Sequence, residues 1–94
     1  MTDNGKLMAA ASLTNAADLI ESRDDFMDFI ELLRRDFETK PADWDNHQLG
    51  QYFEALGAFV RDLDGYFEHR SERVPEQPTW KLMGEILLAA KKYE

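Results

Sequence analysis

Three stretches of this chain repeat their apolar residues at helical spacing, and none repeats them at the two-residue spacing of a strand. That pattern restricts the fold to helices packed on helices. The first stretch opens at Ser22-Arg23-Asp24-Asp25, where a hydroxyl precedes a carboxylate by three residues, close to a capping box. Phe26, Phe29, Ile30, Leu33 and Phe37 then fall on one helical face. Pro41 stops the helix and biases residue 40 away from it, so the spacing predicts a helix over 23–38.

Asp45 or Asn46 is predicted to cap the second helix, over 47–63, which continues or kinks through Gly65 to about 69. Its stripe is Leu49, Tyr52, Phe53, Leu56, Phe59, Val60, Leu63 and Phe67. Gly57 sits inside that stripe at a cost of ~1 kcal/mol against alanine, which a close helix crossing would explain. Thr79 caps the third helix, over 80–93. Trp80, Leu82, Met83, Ile86, Leu87, Ala90 and Tyr93 cover more than half of its circumference, so it should lie between the other two. Residues 1–14 show no period and read as a loose N-terminal arm, followed by a short helix around 16–20 started by Thr14 or Asn15. Residues 15–94 read as a single helical domain. The predicted fold is all-α: a small three-helix core with a short extra N-terminal helix. Phe29, Leu33, Leu56, Phe59, Met83 and Leu87 are predicted as core.

Two tryptophans, three tyrosines and six phenylalanines supply that core, each ring removing ~150–250 Å² from water when buried. No disulfide is available, because there is no cysteine. That absence points to a reducing, cytoplasmic setting and excludes thiolate zinc. The run 7–13 lacks the basic region that opens a secretion signal, and no apolar run nears the ~20 residues of a membrane span.

The net charge of −8 is spread through the body of the chain. Such a surface disfavours direct contact with nucleic acid or anionic lipid. It serves either solubility or attraction to a protein with a basic surface. Asp24, Asp28 and Glu31 lie within about one-sixth of a turn of one another on the first helix, opposite Phe26 and Leu33. Together with Asp62 and Asp64 they form the candidate partner-binding set, with Arg35 partly neutralising Glu31.

Catalytic and metal signatures are missing. Asp62-Leu63-Asp64-Gly65 resembles part of a calcium loop, but Val60 and Ser71 would fall at two ligand positions, and the stretch reads instead as a helix end turned by Gly65. His47 and His69 have no metal-ligand spacing, and no nucleophile, P-loop or dinucleotide motif is present. No cofactor and no enzymatic activity are expected. Trp44, Trp80 and Tyr66, at element ends, read as lids on the core, with interface anchors as the alternative.

Ile20-Glu21-Ser22-Arg23-x-x-Phe26, Trp44-x-Asn46, Asp62-x-Asp64-Gly65-Tyr66, Pro78 ahead of Trp80, and Ala89-Ala90-x-x-Tyr93-Glu94 resemble the pattern of a family of small acidic bacterial proteins of uncharacterised function. The chain departs from it at Phe67-Glu68-His69, where that pattern carries a tyrosine and an asparagine. The resemblance implies architecture and a bacterial origin, and it assigns no activity. The functional expectation is a small acidic protein-binding module, a neutralising or regulatory partner of toxin-immunity type. The alternatives are a nucleic-acid-mimicking inhibitor of anti-restriction or anti-CRISPR type and, third, an uncharacterised enzyme. No oligomeric state follows from the sequence.

Overall fold

Side-chain capping explains where three of the six α-helices among the described residues start. The computed structural model describes residues 5–93, so the part of the expected arm at residues 1–4 lies outside it. In chain order come α1 (Gly5–Met8), α2 (Leu13–Asp18), α3 (Arg23–Thr39), a 3₁₀ turn (Pro41–Asp43), α4 (Leu49–Arg61), α5 (Leu63–His69) and α6 (Trp80–Ala89). No strand occurs among the described residues, and the fold is all-α. Ser22 Oγ accepts the Asp25 N–H at 3.1 Å, while Asp25 Oδ2 accepts the Glu21 N–H at 2.9 Å. This is the predicted capping box with its return bond displaced by one residue. Thr79 Oγ1 caps α6 through the Leu82 N–H. Ser12, and not Thr14 or Asn15, caps α2, which therefore begins at Leu13.

The second helix departs from its predicted ends. Gln48 holds the N-cap position with no side-chain bond, so neither Asp45 nor Asn46 caps α4. The kink falls at Asp62, whose N–H is shared between the Ala58 and Phe59 carbonyls, and Gly65 lies inside α5 with an ordinary helical backbone. The chain turns instead at Ser71, in the left-handed region at φ 58°. There the Glu72 N–H bonds the Phe67 carbonyl and the Ser71 N–H bonds that of Glu68, a Schellman close.

Gly57 faces open space, and nothing in the structure explains the glycine there. The close crossing is at Gly84, where an added Cβ would collide with Ile20 Cδ1 and lie 3.4 Å from Phe29 Cδ2. This glycine lets α6 settle against α2 and α3 together.

Packing is organised around α6, which meets α2, α3 and α4. One buried cluster joins Leu7, Ala16, Ala17, Ile20, Phe29, Leu33 and Trp44. A second joins Phe59, Phe67, Leu82 and Ile86. The core is thus not confined to three helices. Residues 5–14, expected within a loose arm, carry α1 and the start of α2, and Leu7 is only 1% exposed. The sequence hid this because Leu7, Met8 and Leu13, separated by small residues, leave no periodic trace. Of the predicted core, Phe29, Leu33 and Phe59 are buried, whereas Leu56, Met83 and Leu87 are half-buried. The molecule measures 35 × 30 × 19 Å. Its short dimension holds two helix layers of ~10 Å each.

Candidate functional site

Both α3 and α4 pack on α6, yet they make no close backbone approach to each other. Between them lies a groove of about 460 Å³. Ile30 and Phe37 of α3 form one wall, Leu49 and Tyr52 of α4 the other, with Trp44 at one end and Leu87 of α6 beneath. Apolar side chains stand open here: Leu49 is 69% exposed, Ile30 45% and, beside the groove on α4, Phe53 60%. Clustered exposure of this kind marks a contact surface more often than scattered surface leucines do.

The floor is held rigid by polar bonds. The Trp44 indole N–H donates to Asp36 Oδ2 at 2.8 Å, and Lys91 Nζ donates to the same oxygen at 3.0 Å while lying 5.5 Å from the Trp44 ring centroid. Burial opposes ionisation of Asp36, but the Trp44 and Lys91 bonds outweigh it and hold the carboxyl below its ordinary range. Tyr52 Oη donates to the Leu87 carbonyl at 2.7 Å, and burial pushes that phenol up to about 12. Asn46 Nδ2 donates to the Ala90 and Tyr93 carbonyls, closing the C-terminus of α6 from outside the helix. Phe37 meets Trp44 edge to face at 5.3 Å, and Trp44 lies 6.0 Å from Tyr52. A wall built this way keeps its shape when empty.

The acidic residues singled out in the sequence are not gathered into one patch. Asp24 lies exposed in the first turn of α3. Asp28 is half-buried, with Oδ2 enclosed and without a hydrogen-bond partner among the described residues. Glu31 bonds Arg34 and Arg35, and the Arg34 guanidinium leads in holding its carboxyl at about 2. Asp62 and Asp64 belong to the α4–α5 kink, and α5 makes no close approach to α3. Tyr93 Oη donates to Asp62, and this bond leads in lowering its carboxyl. A hollow of about 800 Å³ there includes Tyr66 and Arg70, but Arg70 is already bonded to Tyr66 and Glu85. Among the described residues, no group of three histidine or acidic side chains could hold a metal, and no helix is long and apolar enough to cross a membrane.

Trp44 is buried as a lid, Tyr66 is half-buried, and Trp80 stays 43% exposed against Phe26. The groove's apolar helix residues were visible as members of helical stripes, whereas Trp44, between the helices, was read only as a lid at an element end. What went unread was the width of the second stripe, which covers more of α4 than α6 alone can bury.

The family model described as Family of unknown function (DUF7660) matches residues 22–94, most of the chain. The chain belongs to the DUF7660 family. The DUF7660 match begins at Ser22, the N-cap of α3, so every wall of the groove lies inside it and α1 and α2 lie before it. No curated protein and no solved structure matches the chain.

Proposed function

We propose that this chain is a small cytoplasmic protein-binding module, without enzymatic activity, that regulates or neutralises a partner bearing a basic surface. The observation that carries the reading is the open apolar groove between α3 and α4, whose floor is fixed by the Trp44–Asp36–Lys91 and Tyr52–Leu87 bonds. Binding then orders little of the protein, which removes one of the main costs of association. The acids act at longer range. A net charge of −8 raises the encounter rate with a cationic partner, and Asp24, Asp28, Glu31, Asp62 and Asp64 contribute to that field. A phosphate-mimicking surface is less well supported, because Asp25, Glu31, Asp36 and Glu85 are each engaged by Lys6, Arg34, Lys91 and Arg70.

The test is capture from a cell extract with three baits: wild type, Leu49→Ser/Phe53→Ser, and Asp24→Lys/Asp64→Lys. The groove variant should lose a protein that wild type retains, and the charge variant should retain less of it as salt rises. Identical sets on wild type and groove variant would place the working surface elsewhere.

A further inference from the structure

The cover that α1 and α2 lay over α3 and α6 is attached almost wholly by side chains. Among the described residues, the backbone hydrogen bonds of residues 6–20 outside helix interiors stay within the segment: Ala9 to Gly5, Ala10 to Leu7, Ala16 to Ser12, Leu19 to Ala16 and Ile20 to Ala17. Lys6 reaches the Asp25 carboxylate at 2.8 Å, and two longer contacts, Lys81 to Asp18 and Arg35 to the Met8 sulfur, each span 4.0 Å. The rest is packing by Leu7 and Ile20, 1% and 2% exposed, and by the small side chains of Ala16 and Ala17. α1 has four residues and α2 six. Helices shorter than about 12 residues are marginal alone in water, so both owe their order to docking. They also pack on each other, so neither leaves without weakening the other.

The body beneath keeps its own supports. Phe59, Phe67, Leu82 and Ile86 form a buried cluster with no member from α1 or α2. Trp44 and Lys91 meet on Asp36, Tyr52 bonds Leu87 and Asn46 closes α6, all beyond residue 21. The family match likewise begins at Ser22, whose hydroxyl starts α3 through the Asp25 N–H. None of residues 5–20 lines the groove, so the cover and the groove are separate features. The seat of the cover is a notch. Gly84 leaves α6 without a side chain where the Ile20 Cδ1 methyl rests, beside the Phe29 ring. We infer that residues 5–20 form a strap that releases as one unit while the body from α3 to α6 stays folded, with Ile20 in the Gly84 notch as its latch. Release bares Phe29 and the notch, so this apolar face is covered or open according to the strap. Local openings of this kind are drawn from segments with few buried apolar contacts.

The chain has no cysteine, so one engineered thiol reports on its own position. Ala17→Cys puts it in α2, at a site 2% exposed. In the full chain this thiol should react with an excess of an aromatic disulfide reagent at least about tenfold faster than the global stability of the same variant allows. Its rate should also rise only weakly with urea below the unfolding transition, because a released strap exposes little surface. A rate at the global limit, or the full urea dependence of unfolding, would overturn the strap. Gly84→Ala tests the latch on the same background. Alanine suits the interior of α6 better than glycine does, yet its methyl would displace Ile20 from the notch. The thiol should then react at least about fivefold faster still, relative to the global limit. An unchanged ratio would overturn the latch. Amide exchange of the unaltered protein needs no thiol. The Ala16, Leu19 and Ile20 N–H groups should share one opening equilibrium, at least about tenfold more open than that of the slowest amides of α3 and α6. Unequal openings among the three would overturn the single unit, and exchange at the global limit would overturn the release.

Discussion

The two sides of α3 carry apolar residues of the same kind and meet opposite fates. Phe29, on the side toward α2 and the Gly84 crossing, is 0% exposed, while Ile30, one residue later, stands open. On the closed side the cover comes from α1 and α2, which add Leu7, Ala16, Ala17 and Ile20 and fasten themselves through Lys6 to Asp25 at 2.8 Å. On the open side nothing among the described residues fills the space between α3 and α4. Amphipathic periodicity states that a helix face is apolar; it does not state whether the covering element belongs to the same chain.

Mutations along α3 and α4 sharpen this contrast. Phe29→Ala should have the largest effect, a loss of ~3–5 kcal/mol, because the cavity is sealed by Ile20 and α6. Chemical denaturation measures it, and a loss below about 1 kcal/mol would show the closed side to be loosely packed. Asp25→Ala comes next, at ~1–3 kcal/mol. It leaves the Glu21 N–H without its acceptor and the Lys6 ammonium with the exposed Glu21 carboxylate alone, and so loosens the cover on the closed side. Amide exchange in α1 and α2 should accelerate more than in α4; uniform acceleration would contradict the fastening role.

Acid provides a third measurement. The Lys6 bond, foremost, holds the Asp25 carboxyl below its ordinary range, and the Trp44 and Lys91 bonds do the same for Asp36 against the opposing effect of burial. A carboxyl whose folded value is depressed adds stability above its unfolded pKa of ~3.9, and that contribution disappears as pH falls through the depressed folded value. Stability should therefore drop below about pH 4, and less steeply in Asp25→Ala. Parallel pH curves for the two proteins would remove the Lys6–Asp25 pair from the account. The smallest effect belongs to the open side. Leu49→Ser/Phe53→Ser should change stability by no more than about 0.5 kcal/mol, since both side chains are already largely in water. A larger loss would mean the groove is structural.

Much of the architecture was legible because its signals are local. Ser22 and Thr79 start their helices through bonds to near neighbours, Pro41 ends α3 by lacking an N–H and crowding the residue before it, and α3 runs from Arg23 to Thr39 against a prediction of 23–38. Errors arose where a distant partner decides. Asn46 looked like an N-cap and serves α6 instead, because its partners lie 44 and 47 positions away. Gly57 and Gly84 are alike as residues, and only tertiary approach tells them apart. For the same reason the acids of α3 and of the α4–α5 kink could be counted but not placed relative to one another. Asp28 looked like a surface charge until packing enclosed one of its oxygens.

The Asn46 amide also bears on the order of events in time. It ties the loop after the 3₁₀ turn to the end of α6, and its backbone N–H bonds Lys91 at 3.1 Å as well. Contacts spanning so much chain must overcome loop-closure entropy before they return any energy, so they belong late on the folding route. Asn46→Ala should then leave the refolding rate nearly unchanged and speed unfolding, the signature of a bond absent from the transition state. The persistence of the folded molecule, more than its speed of arrival, rests on that amide.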